Sequence, residues 1–358
     1  MKSNKIITIF LFAAFLSSCD LILGPDPDLN PEEVLFSLWN DFNNVYAYLD
    51  IRMSSNMQYS NWHDVYYNKT NGYKTKVKPS TQESQLFSIC ANMLGELNDS
   101  HVALYSPGNS IGSYKGNANN SEEINLNNIY NYLSNKGIRK YSNFIYDTFA
   151  DNPCIGYIYI SMFIDADSQS KGWEKEIDNI IKSLADTQAI VLDIRDNRGG
   201  DIFILEYIAS RFTSSQKEYL KTAIKNGPGN NDYSNTVIHS VYPAKNRYTK
   251  NIILLTNGNT ISAAERFAIA LKTQSHVTHA GKSTRGALSV RTNRPMINGW
   301  YYSISAERVT DMHGNYYEGR GVSPEHIFDY DFYDYFDKQI DKAIELAEKL
   351  FDCTCRNE

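Results

Sequence analysis

Residues 189–201 read Ala-Ile-Val-Leu-Asp-Ile-Arg-Asp-Asn-Arg-Gly-Gly-Asp, and no other stretch narrows the choice of fold as much. Residues 189–192 form a short apolar run of the kind a sheet buries on both faces. Charge follows at Asp193, Arg195 and Asp196, then Gly199-Gly200, then a helix-like run over 202–212. Paired glycines between a strand and a helix let backbone N–H groups come close to a bound group. At a helix N-terminus those donors face an anion or a developing negative charge. A phosphate cradle and an oxyanion hole both suit such a junction.

The same alternation runs through the second half of the chain. Apolar runs predict strands over 155–163, 189–194, 251–256 and 277–280, with extended pieces at 300–304 and 306–309. Helical spacing predicts helices over 173–184, 202–212, 262–273 and 332–350. Together they predict an α/β core over residues 151–350. Residues 31–98 predict a small helical region. Asn30 can cap its first helix, Pro31 suits the first turn, and Val34, Leu38, Phe42, Val45 and Leu49 share one face. Leu86, Ile89, Met93 and Leu97 mark a second helix over 82–97. In the intervening segment, 99–150, a turn at Asn98-Asp99 leads into a strand ending near Tyr105. A polar stretch over 106–123 then reads as a loop. Residues 351–358 read as a tail.

The N-terminus reads as a leader. Lys2 and Lys5 precede an apolar run over 6–16 that is too short to stay in a bilayer as a spanning helix. Leu16-Ser17-Ser18-Cys19 resembles a bacterial lipobox. That resemblance implies removal of residues 1–18, a lipid on Cys19, a tether over 19–30 and a place in the cell envelope, on its periplasmic or surface face. The formal charge of −6 and the absence of a basic run argue against nucleic acid as a partner. Cys90, Cys154, Cys353 and Cys355 have no zinc spacing, and neither a metal nor a cofactor is expected. No sequence feature specifies an oligomeric state.

A second strand–turn–helix junction lies at 254–265. Ser262 opens its helix, where a serine serves either as an N-cap or as a nucleophile. The Ala263 amide can face the same oxyanion as Gly199 or Gly200, which is the geometry acyl transfer needs. The Gly-x-Ser-x-Gly elbow is absent. Of seven histidines, His101 stands beside Asp99-Ser100 at the start of a strand. It reads as a structural residue or as a base. Neighbouring strand residues face opposite ways, so Ser100 and His101 cooperate only from a turn. Glu265 reads as a first-turn acid, Asp193 and Arg195 as an ion pair, and Glu318 alone as a loop acid.

Taken together, these segments resemble the family of C-terminal processing peptidases and tricorn-type serine peptidases. Residues 192–200 are similar to its strand-end glycine motif, and Ser262-Ala263-Ala264-Glu265 to its Ser-x-x-Glu nucleophile motif. Gly281-Lys-Ser-Thr284-Arg-Gly286 and the segment from Glu318 through Gly321-Val322 to Pro324 resemble two more of its motifs. The resemblance implies a ClpP/crotonase-like α/β (α+β) fold with a mixed sheet and flanking helices. It further implies a serine peptidase acting on peptides or unfolded protein. In the processing style a lysine follows Thr-x-Gly, but Ala287 stands there. The tricorn style is therefore implied, with Ser262 as nucleophile, His101 as base, and Ser100 and Glu318 orienting and polarising it. Too few residues separate Leu104 from Ile155 for the PDZ module common in the family. The family also includes the interphotoreceptor retinoid-binding protein, so an inactive carrier of apolar ligands or peptides is the alternative.

Overall fold

In a computed structural model of the chain, the described residues are 30–114, 123–134, 139–141, 143–165, 172–329 and 336–352. The leader, Cys19, nearly all of the expected tether, Cys353 and Cys355 lie outside them.

The apolar runs build a seven-stranded sheet in the order β14-β10-β9-β6-β5-β4-β3. Its strands are β3 (Arg139–Tyr141), β4 (Phe144–Thr148), β5 (Ile155–Ile160), β6 (Ala189–Asp193), β9 (Asn251–Thr256), β10 (Val277–Gly281) and β14 (His326–Ile327). From β5 to β14 neighbours are parallel, while β4 and β3 add on antiparallel. The sheet is thus mixed, as expected. Residues along β6 and β9 alternate between its two faces. Ile190, Leu192, Ile252 and Leu254 meet α6 (Gly172–Ser183), α7 (Ile202–Ala209) and α8 (Ala263–Lys272). Ala189, Val191, Ile253 and Leu255 meet α5 (Leu126–Tyr132) and α9 (Lys338–Phe351). Burial on both faces is why these strands read as continuous apolar runs.

The ion pair expected at the end of β6 ties down the last helix. Arg195 is fully buried and donates to Asp193, to Asp337 Oδ1 at 3.0 Å and to Gln339 Oε1 at 2.9 Å. Asp337 caps α9 through the N–H groups of Gln339 and Ile340. Arg195→Met leaves two buried carboxylates without their cation. It is expected to cost roughly 3–5 kcal/mol of stability. Chemical denaturation, with proteolysis of α9 as a second readout, checks this; an unchanged midpoint would refute it.

A second core holds the N-terminal helices α1 (Pro31–Val45), α2 (Leu49–Ser54), α3 (Trp62–Tyr67) and α4 (Glu83–Gly95). They cover a four-stranded sheet in the order β11-β12-β1-β2. Its strands are β1 (Ala103–Ser106), β2 (Asn109–Gly112), β11 (Arg291–Pro295) and β12 (Tyr301–Ser305). Val34, Leu38 and Phe42 pack with Leu104, Tyr302 and Ile304. Strands from two distant parts of the sequence thus share one small core. A third sheet, β13-β7-β8, joins β7 (Lys217–Ile224), β8 (Val237–Val241) and β13 (Glu307–Asp311).

Several expected elements differ. The helix expected over 31–49 stops at Val45, and a separate helix starts at Leu49. The helix over 202–212 ends at Ala209 and tightens into a 3-10 turn. The start of the loop expected over 106–123 is a hairpin, because β2 pairs antiparallel with β1. The last helix begins at Lys338, where Asp337 caps it. Cys154 is disulfide-bonded, whereas Cys90 is a buried free thiol that burial pushes up to about 12.

Candidate active site

The two strand–turn–helix junctions lie side by side because β6 and β9 are parallel neighbours. Asn197 ties them together. Its carbonyl accepts the Ile261 N–H at 3.0 Å, its Nδ2 donates to Ile160 O, and its Oδ1 accepts the Gly199 N–H at 2.9 Å. Thr260 Oγ1 donates to Ile194 O across the same gap. Both glycines have positive φ, 89° at Gly199 and 139° at Gly200. A Cβ on Gly199 would stand 2.8 Å from the Ser262 Cβ, and one on Gly200 would overlap the Phe163 carbonyl. The glycine pair is therefore required by closeness as well as by conformation.

Ser262 stands at the N-cap of α8 with φ 63° and ψ −124°. That backbone is costly for a residue with a Cβ and persists only where neighbours over-determine it. Glu265 does so here. Fully buried, it accepts Ser262 N–H at 3.1 Å and Ala287 N–H at 2.8 Å on Oε2. Its Oε1 accepts the Thr284 hydroxyl at 2.5 Å and Gly286 N–H at 2.7 Å. Thr284 Oγ1 in turn accepts Val322 N–H at 2.7 Å. One carboxylate thus links the nucleophile motif to both downstream motifs. Burial pushes its carboxyl up, and these donors oppose the rise.

The glycine and alanine amides beside Ser262 differ in their partners. The Gly199 N–H is taken by Asn197. Among the described residues, Gly200 N–H and Ala263 N–H have no acceptor within the chain. Both residues line a cleft of about 750 Å³ together with Ser262, Ser100 and His101. Gly199 stands behind them. Among the described residues no lysine lines this cleft, and Ala287 is buried with its amide on Glu265.

Ser100 and His101 occupy a turn just before β1, which meets the geometric demand on them. Asp99 makes that turn: its Oδ1 accepts His101 N–H at 2.8 Å and its carbonyl accepts Val102 N–H. His101 is 6% exposed, and its Nδ1 has no hydrogen-bond partner. Burial lowers its pKa below the ordinary imidazole value; Asp99 opposes this, and Arg291 and Arg266 reinforce it. The neutral, proton-accepting form is thereby favoured. His101 and Ser262 line one cleft without a hydrogen bond between them, an arrangement common in unliganded catalytic sites.

Glu318 is placed differently from the expectation. It is buried but does not line the cleft. Its Oε1 meets Arg52 Nη2 at 3.3 Å, and its Oε2 accepts Leu288 N–H at 3.0 Å. Among the described residues no hydrogen bond joins it to Ser100 or His101. Burial pushes its carboxyl well up, and Asp99 adds to the rise while Arg52 counters it. Arg52 and Asp99 were not legible as site residues. Only the place of Asp99 two residues before His101 signalled anything. No group of acidic, histidine or cysteine residues suited to a metal ion occurs among the described residues, and no described helix is long and apolar enough to cross a membrane.

Comparison with known proteins accords with this geometry. The family model for Peptidase family S41 matches residues 154–328. Carboxy-terminal processing protease CtpB of Bacillus subtilis (strain 168) is 28% identical over 170 residues, covering 48% of this chain and 33% of that protein. The chain thus matches about a third of that relative's length. The structure of a candidate peptidase from Parabacteroides merdae ATCC 43184 superposes with a TM-score of 0.76 at 24% identity, covering 89% of this chain and 96% of that one. Mature CPAF gives a TM-score of 0.63 at 14% identity, with 90% and 96% covered. The mixed α/β architecture is therefore shared with these solved structures. Residues 154–328 are thus similar to Peptidase family S41.

Proposed function

We propose that this chain is a serine peptidase that hydrolyses peptide bonds through an acyl-enzyme on Ser262. The observation that carries the reading is the convergence of Ser262, His101 and two unpaired amides, Gly200 N–H and Ala263 N–H, on one cleft. Neutral His101 takes the Ser262 proton as Oγ adds to the substrate carbonyl. The two amides receive the oxyanion. His101 then protonates the leaving amine and activates the water that releases the acyl group. Ser100 and Glu318 complete the set, Ser100 from the cleft wall and Glu318 from behind it.

Peptides or unfolded protein are the proposed substrates. Phe203 and Val290, both exposed at the cleft, offer apolar surface to their side chains. No observation favours the apolar-ligand carrier: Arg198, Arg266 and Arg291 line the same cleft. A lipid on Cys19 holding the enzyme in the cell envelope remains part of the proposal and rests on the sequence of the leader.

Treatment of the protein with a fluorophosphonate, followed by peptide mass spectrometry, tests the reading. The expected result is a single adduct on Ser262 that disappears in Ser262→Ala. A folded wild-type protein that stays unlabelled, or is labelled elsewhere, would overturn it.

A further inference from the structure

Asp99 holds more than a turn. It is fully buried. Its Oδ2 accepts the Tyr46 hydroxyl at 2.7 Å and the Ser305 hydroxyl at 3.0 Å, and Arg52 Nη2 lies 3.9 Å away. Oδ1 accepts the His101 N–H at 2.8 Å. The backbone is pinned as well: Asp99 N–H donates to Ser113 Oγ, and that hydroxyl donates to Asp99 O at 2.9 Å. Tyr46, Arg52 and Ser113 all lie outside residues 154–328. Glu318, by contrast, gives one oxygen to Arg52 and the other to Leu288 N–H.

We propose that Asp99 is the buried carboxylate that stabilises the His101 imidazolium during catalysis, acting as a positioning residue through the turn it shares with His101. The inference rests on the serine-peptidase reading of the cleft. When His101 takes the Ser262 proton, a cation forms where burial makes it costly. The charges of Arg291 and Arg266 raise that cost, while Asp99 offsets it. The groups facing Asp99 itself are Arg52, Tyr46 and Glu318. Arg52 Nη2 lies within 3.9 Å of Asp99 and 3.3 Å of Glu318, so one guanidinium serves both carboxylates. The proton travels from Ser262 Oγ to the His101 ring and no further.

The imidazole of His101 is followed by NMR against pH in the resting wild-type protein, in Asp99→Asn and in Glu318→Gln, with fluorophosphonate labelling run in parallel. Asp99→Asn keeps the shape and removes the charge. It is expected to move the His101 midpoint to lower pH and to slow Ser262 labelling about tenfold, the scale of one neighbouring charge. Glu318→Gln is expected to move the midpoint less. In the wild type, the Asp99 carboxyl carbon is expected to show a step at the His101 midpoint, which decides the matter even if Asp99→Asn does not fold. An unmoved midpoint in Asp99→Asn, a larger shift in Glu318→Gln, or no shared step would overturn the proposal. If the Asp99 carbon shows the step at the His101 midpoint but Ser262 is never labelled, the peptidase reading fails and the pairing stands.

Discussion

Glu265→Ala is expected to lower the free energy of unfolding by roughly 3–5 kcal/mol and to abolish labelling of Ser262. The carboxylate is fully buried and accepts from three amides and one hydroxyl. Alanine leaves those donors without partners in a place water does not reach, and each orphan costs about 1–3 kcal/mol before relaxation. For a chain of this size the loss corresponds to a fall in Tm of about 4–7 °C. The effect on chemistry is separate. Ser262 keeps its positive φ because Ile261 N–H is held by Asn197 and Ser262 N–H by Glu265. Without Glu265 the strained turn can relax, and the hydroxyl moves off the line to the Gly200 and Ala263 amides. Calorimetry and labelling measure the two effects independently. A variant that keeps both its Tm and its labelling rate would show that Glu265 is only a first-turn acid.

His101→Ala is expected to reduce the labelling rate by about 10⁴-fold, with little loss of stability. The Nδ1 of the imidazole is already unpartnered, and its removal costs one bond, to the Ser289 backbone. The sign of the pH dependence follows from its environment. Burial lowers the His101 pKa from 6.5, so the ring is neutral and competent at neutral pH. Labelling is therefore expected to stay level from neutral pH down to that lowered pKa and to fall as the pH drops through it. Stability follows the same direction: the contribution of the neutral ring is present above the unfolded value and is lost as pH falls through the folded one. The rate–pH profile of the wild type measures this. A labelling rate in His101→Ala within tenfold of wild type would remove His101 from the mechanism.

How much could be read beforehand depended on how local each signal was. β5, β6 and β9 declared themselves because burial on both faces makes their central residues apolar. β2, Asn-Ser-Ile-Gly, is exposed throughout and carries no alternation, so it read as loop. β8 is the outer strand of its sheet and equally faint. The glycine junction and Ser262 were legible because turn chemistry is written in adjacent residues. The choice between Gly199 and Gly200 was not, since it turns on the Asn197 side chain. Glu265 looked like an ordinary helix-start acid because its partners lie about twenty residues downstream. The contacts of Asp99 span Tyr46 to Ser305, a distance no local pattern encodes.

The proposed base and the proposed nucleophile belong to different cores. His101 precedes β1 of the small sheet, which the N-terminal helices cover, whereas Ser262 opens a helix on the large one. The seam between two cores is therefore where the chemistry is assembled. Partial opening of the smaller core would silence the enzyme while the larger one stayed folded. Loss of activity on warming would then report the docking of two bodies, ahead of global melting.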